Sequence, residues 1–434
     1  ALANKLSVAL TRIQYTLGLY DDCLKTADTV LEHGKLLRDK IAVYHSKIFC
    51  LMQQDRYPEA LNLTIGILKD LGQPFPKRFL GMHVMKDSKK AAKLLKGKTD
   101  EDLLALPRVD DEQINNSIEF MERLAECSLR KVDPAYFSLF SFRSIHLTME
   151  RGLFTLSTYA FMAWAWSKAV EGDHEEALRF GKLALRVADE NHGLGRYRDT
   201  RVRMVYWNMI FHWRYPYKDA LQPLFQGMKE LWAYSAVDYV YWHGMNLCKV
   251  CIAAGHDLRR TLSEIEKLSE CLLDYKQALQ QRLVAPLHQS VLNLMGKSPN
   301  KSHLVGEIID EETIRTEWKA DIVAMSHLEL NAMFIAYFFH DYERAYRAWQ
   351  RQKKYNIAVL VGPDCWVTLQ IFYSGLVLAA ICRENNHRSD RRKARSQLLQ
   401  LRLWNHQGNV ACRHMCLLLE AELLNAGKKL CYST

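Results

Sequence analysis

Apolar and polar positions follow a helical rhythm through most of the chain. The opening run ALANKLSVALTRIQ sets Lys5 and Arg12 into a helical pattern, and CRHMC at Cys412 lies inside another amphipathic stretch. Across this rhythm one short phrase returns five times: GLYDDCLKT from Gly18, DRYPEALNL from Asp55, GDHEEALRF from Gly172, YPYKDALQP from Tyr215 and HDYERAYRA from His340. Aligned on the small residues Cys23, Ala60, Ala177, Ala220 and Ala345, the copies place a ring three positions earlier: Tyr20, Tyr57, His174, Tyr217 and Tyr342. An acid precedes the small residue in four copies (Asp22, Glu59, Glu176, Asp219), with Arg344 the exception. Gly18, Asp55 and Gly172 are turn-tolerant residues five positions before it, whereas Tyr215 and His340 are not.

Each feature has a mechanical reason. Gly or Asp takes the left-handed conformation that ends a helix and reverses the chain. Acids in the next first turn meet exposed N–H groups and the positive end of the helix dipole. Pro58 and Pro216 suit such a start, where a missing N–H costs little. A small residue lets two helices approach closely, and the ring fills the wedge above that contact. The phrase therefore predicts the second helix of a helix-turn-helix hairpin.

Cys23 and Ala60 lie about 37 residues apart and Ala177 and Ala220 about 43, near the range of about 34 to 47 residues for helix-pair repeats. Between Ala60 and Ala177 there is room for about three units that have lost the phrase. The expected fold is all-α, a solenoid of antiparallel helix pairs, because a repeat buries its apolar face only against neighbours. A compact bundle that reuses one good turn is the competing arrangement. The chain divides into N-terminal repeats over 1–76, an irregular polar helical insertion over 77–111, aromatic-rich central repeats over 112–294, a loop over 295–313 and C-terminal repeats over 314–434.

Composition agrees with helices on short loops: 20 Gly and 10 Pro among 434 residues, with 49% apolar and 25% charged. No window of about 18 uncharged apolar residues is found, so no membrane span is expected. The N-terminus has no signal-peptide layout, and the missing initiator Met fits a piece of something longer. Eleven cysteines, most inside helical runs, are too few for a disulfide framework and suggest a reducing, cytoplasmic setting. The net charge of +10 is spread out; its one dense cluster, HRSDRRKARSQ from His387, reads as a solvated helix start before it reads as a polyanion site.

Catalytic patterns are missing. Gly-Lys-Thr at Gly97 and Gly-Lys-Ser at Gly296 lack the upstream glycine of a phosphate loop; Ala92 and Val291 stand there. The Cys-x-x-Cys of Cys248 and Cys251 has no second pair at zinc spacing. No catalytic, cofactor or metal residue is therefore expected, and the chain is not read as an enzyme. One stretch is unusual: YRDTRVRMVYWNMIFHWRYPY, Tyr197 to Tyr217, sets Arg203, Trp207, Phe211 and Arg214 near one helical face. LWAYSAVDYVYWHGM adds Tyr239 and Trp242. Aromatic and Arg side chains anchor interfaces, so these six are the candidate partner-binding residues. Rings packed as core, with arginines at their rim, are the plainer reading.

The order of YHSKIFCLMQQDRYPEALNLTIGILKDLGQPFP, GKTDEDLLALP, EEALRFGKLAL, FHWRYPYKDALQPLFQGMKE and VLNLMGKSP resembles a known family segment. It is the tetratricopeptide-like region that follows the predicted-ATPase (AAA, signal-transduction NTPase) module in large multidomain sensor kinases. The resemblance runs from about Lys5 to LRLWNHQGNVACRHMCLLLEAELLNAG. It implies a tetratricopeptide-like right-handed α-solenoid and a regulatory arm between an ATP-driven switch and an output domain. No phosphate-loop or kinase residue is present to carry over. Expected partners are protein segments or neighbouring NTPase or kinase domains, with no membrane and no nucleic acid. The alternative is a small-molecule or peptide sensor with a pocket in the aromatic-rich middle.

Overall fold

A computed structural model describes residues 2–34, 37–131, 133–190, 196–233, 237–355, 362–385 and 387–428. The described residues form 21 α-helices and no strand; pairing of extended backbone is limited to two isolated bridges, Arg108 with Leu153 and Val305 with Asp310. The protein is all-α.

All five rings of the repeated phrase open a helix. Tyr20 begins α2 (Tyr20–His33), Tyr57 begins α4 (Tyr57–Asp70), His174 begins α10 (His174–Glu190), Tyr217 begins α12 (Tyr217–Ala233) and Tyr342 begins α18 (Tyr342–Gln352). The small residues Cys23, Ala60, Ala177, Ala220 and Ala345 are at most 1% exposed, so a neighbouring helix leaves no room for a larger side chain. The turn before the phrase is also shared. Gly18, Asp55, Gly172 and His340 all have positive φ. Leu19, Arg56 and Asp341 then donate their N–H five residues back, to Gln14, Leu51 and Ala336, at 2.8–2.9 Å. This is the Schellman closure, which satisfies carbonyls that a helix end would otherwise orphan. His340 thus adopts a conformation its sequence does not advertise. Arg344 occupies the acid slot of the fifth copy, and Glu343 beside it supplies the first-turn acid.

The chain divides into two compact units. The first comprises Ala1–Glu171, Glu175–Val202 and Cys271–Leu279. Here α1 (Leu2–Thr16) packs on α2 and also on α3 (Leu37–Gln53), and α3 packs on α4. α7 (Glu112–Lys131) bridges α4 and α8 (Ala135–Arg151), while α8 also holds α5 (Leu80–Leu95) and α9 (Ser157–Glu171). The polar stretch 77–111 forms α5 and the short α6 (Asp100–Leu104). Arg143 ties α5 to α8 through Asp87 at 2.8 Å. The Gly-Lys-Thr sequence is a helix cap: Thr99 Oγ1 accepts from Asp102 N–H, and Asp102 accepts from Thr99 N–H.

The second unit comprises Gly172–His174, Arg203–Glu270 and Gln280–Thr434. α12 packs on α13 (Val237–Ala253), and α17 (Ile322–Phe338) on α18. α19 (Cys365–Asn385) packs on α20 (Arg388–His406) and on α21 (Ala411–Lys428), and α20 packs on α21. Of the stretch 295–313, residues 295–310 lie outside helices and are clipped to the helix before them: Asn293 Nδ2 donates to the carbonyls of Asn300, Lys301 and His303, and Leu304 is buried. They run into α16 (Glu311–Glu317), where buried Glu311 and Glu329 hold Arg315, Arg344 and Arg351.

One apolar helix bears on the expectation of no membrane span. α19 is long and apolar enough to cross a membrane. Thr368, Gln370 and Ser374 interrupt its apolar letters, yet none carries charge and Thr368 Oγ1 satisfies itself on Cys365 O. Most of this helix is buried against its neighbours, 78% of its most apolar window. Helix-on-helix packing within the second unit accounts for that apolar surface.

Candidate functional site

The six candidate residues belong to the second unit. Arg203 lies near the end of α11 (Arg196–Val205). From there the helix does not continue at 3.6 residues per turn. Tyr206–Ile210 widen into a π turn, with Phe211 N–H donating to Tyr206 C=O, and Phe211–Trp213 tighten into a 3₁₀ turn. Such local defects in a helix are often found at functional sites.

The widened turn gathers rings. Trp207 and Phe211 are 4.6 Å apart between centroids, Phe211 stacks on Tyr215 at 4.6 Å, and Tyr206 meets Trp207 edge-on at 5.1 Å. Phe211 is buried beneath, Trp207 and Arg203 are half-buried, and Arg214 is exposed. Arg214 lies across Gly408, where an added Cβ would sit 2.2 Å from its guanidinium. Tyr239 and Trp242, on α13, are half-buried. Trp207 and Phe211 are in contact, across a segment that does not keep regular α-helical spacing.

Residues that sequence reasoning passed over sit next to this cluster. The Trp213 indole N–H donates to Met209 O and Pro363 O, both at 3.1 Å, while His174 stacks on its face at 4.0 Å and Trp404 meets it edge-on at 5.3 Å. Tyr217 and Thr368 share a hydroxyl–hydroxyl bond at 2.5 Å. Tyr217, which opens α12, is thus bonded to α19 through its hydroxyl. Lys249 Nζ and Asp364 Oδ2 form a fully buried ion pair at 3.0 Å, and Asp364 Oδ1 also caps Trp366 N–H. Burial pushes the Asp364 carboxyl up, against the pull of Lys249. A lone Lys inside CKVC, within an otherwise apolar run, was the available sign. Cys248 and Cys251 flank it as buried thiols, both raised by burial, Cys251 to about 12; they pack and do not present thiolates. Among the described residues no three His, Cys, Asp or Glu side chains come together as a metal site.

Two buried imidazoles, His174 and His212, pack against Trp213, and Asn208 is buried near His212 in sequence. His174 and Asn208 leave both polar side-chain atoms without a hydrogen-bond partner, and His212 approaches only the backbone of Asn208. Burial keeps both imidazoles neutral, His174 at about 4 and His212 at about 3, the latter also lowered by His174. Each could donate and accept one hydrogen bond.

Elsewhere in this unit an open groove of about 300 Å³ lies against α18, the end of α19 and the start of α20. Glu343, Tyr346, His387, Asp390 and Lys393 line it. Asp390 is already held by Lys393 at 2.8 Å and by Tyr346 at 3.3 Å.

No protein-family model matches the chain, and a search of curated proteins finds no match.

Proposed function

We propose that this chain is a non-catalytic helical-repeat scaffold: a tetratricopeptide-like α-solenoid of antiparallel helix pairs that holds a protein segment or a neighbouring domain. One observation carries the reading. Each copy of the phrase opens a helix at its ring, buries its small residue completely and in four cases follows the same left-handed turn. The packing agrees with stacked pairs, since α1 touches both α2 and α3 and α19 touches both α20 and α21. A stack of pairs presents a long surface rather than a reaction centre. The resemblance to the arm behind an NTPase module makes that NTPase, or a kinase domain of the same signalling polypeptide, the first partner to try. Ten described cysteines are free and buried, which suits a reducing compartment such as the cytoplasm.

Arg203, Trp207, Arg214, Tyr239 and Trp242 would meet the partner, with Phe211 supporting Trp207 from below. The test is titration of the chain with the cognate NTPase module. Saturable binding that Trp207→Ala and Trp242→Ala each weaken about tenfold is expected. Absence of saturable binding to any protein would overturn the scaffold.

A second reading has its own observation. His174, Asn208 and His212 carry buried polar side-chain atoms without a hydrogen-bond partner, which a small-molecule sensor would use. A metabolite that raises the melting temperature of the native chain, and fails to do so for Asn208→Leu, would favour this reading over the first.

A further inference from the structure

We propose that the solvent face of α20 docks an acidic amphipathic helix of a protein partner. Arg388, Arg392, Arg395, Leu399 and Leu403 recur at three- and four-residue intervals, so they form one stripe. All five are exposed, Leu399 at 63% and Leu403 at 50%. The stripe from Arg388 to Leu403 is about 23 Å long, roughly four helical turns.

The charge on this face is unanswered. Arg388, Arg392 and Arg395 make no ion pair among the described residues, whereas Arg402 further along is held by Glu420 at 2.7 Å. The one acid on α20 is Asp390, which is buried and bound to Lys393 and Tyr346. Among the carboxylates on adjoining helices, Glu343 lines the groove, Glu420 and Glu422 are held by Arg402 and Arg383, and Glu384, near the end of α19, pairs with none of the three arginines. Arg388, Arg391 and Arg392 also stand at the helix N-terminus, where the dipole repels cations. Folding alone gains nothing from this arrangement. A partner that brings carboxylates offsets the repulsion and meets the arginines with charge-assisted hydrogen bonds.

The leucines choose among acidic partners. Two large apolar side chains amid three free arginines match a helix with an apolar stripe and acidic flanks. α21, packed against α20, exposes Leu417, Leu418 and Leu424 as further apolar surface. Single-stranded nucleic acid would need rings for base stacking. The aromatic of this helix, Trp404, is already engaged edge-on by Trp213. An anionic membrane surface would need a broader apolar face carrying Trp or Phe.

This inference rests on the scaffold reading and names one of its surfaces and the partner's chemistry. The probe is a labelled helical peptide with leucines three and four apart and glutamates on both flanks, titrated with the full chain. Saturable binding that falls steeply with salt is expected. The triple variant Arg388→Glu, Arg392→Glu, Arg395→Glu should cut affinity at least about tenfold, and Leu399→Ser with Leu403→Ser should weaken it as well. Circular dichroism of these exposed-site variants should match the parent. Equal affinity for the same peptide with Gln replacing Glu overturns the proposal, as does indifference to the charge reversal. So does tighter binding of oligouridine or phosphatidylserine vesicles through the same arginines. Trp207→Ala and Trp242→Ala should leave peptide binding unchanged. Failure here with NTPase binding intact removes this surface alone; failure of both removes the scaffold.

Discussion

At the residue scale, the fold depends on a few positions where size or charge has no latitude. Ala60 and Ala345 have no exposed surface at the centre of helix contacts. Enlarging either to Leu should overpack the contact and cost about 1–3 kcal/mol, read as a lower urea midpoint. An unchanged midpoint would mean that these positions do not set the helix approach. The Lys249–Asp364 pair is more exacting. Lys249→Met leaves a buried carboxylate without its partner and should destabilise by about 3–5 kcal/mol. Adding Asp364→Asn removes the charge while keeping an acceptor for Trp366 N–H, so the double variant should recover most of that loss. If it does not, the pair is not the reason for the first effect.

At the element scale, the left-handed turn shared by four of the five phrase copies fixes where one helix stops and the next begins. Its geometry makes opposite predictions for two copies. Gly18 has φ +69, and an added Cβ would lie 2.9 Å from Lys276 Cβ, so Gly18→Ala should lower the denaturation midpoint by the equivalent of about 1–2 kcal/mol. His340 has φ +63 with a full side chain. His340→Gly relieves that backbone cost at the loss of an exposed bond to Tyr342 and should raise the midpoint by about 0.5–1 kcal/mol. Both effects with the same sign would contradict the shared left-handed turn. The fourth copy lacks this turn and follows the π and 3₁₀ segments instead, so its helix start is set by ring packing around Trp213.

At the scale of the whole molecule, burial of imidazoles couples the second unit to pH. Desolvation lowers His174, His243 and His288 to about 4 and His212 to about 3, from an ordinary value of 6.5. The unfolded chain takes up these protons below about pH 6.5 and the native one does not. Stability should therefore be level above that pH and fall steadily toward pH 4. Melting temperature against pH measures this, and hydrogen exchange should find protection lost first in the second unit. A flat profile from pH 7 to pH 4.5 would mean that the imidazoles are solvated in solution.

Much of the fold was legible because its information is local. Helix starts at Tyr20, Tyr57, His174, Tyr217 and Tyr342 follow from a ring, an acid and a small residue within a few positions, and the physics of caps and dipoles acts over one turn. Glycines at Gly18 and Gly172 announced their turns; His340 did not, because its φ is imposed by the two helices it joins. The aromatic stripe was visible at helical spacing, but its π turn was not, since that depends on what packs against Tyr206–Ile210. Lys249 and Asp364 lie more than a hundred residues apart, and no local pattern couples them. Sequence by itself determined the helices, their ends and their small contact residues. Only the tertiary structure decided which polar groups are buried together, because burial and charge pairing are properties of neighbours in space and not of neighbours along the chain.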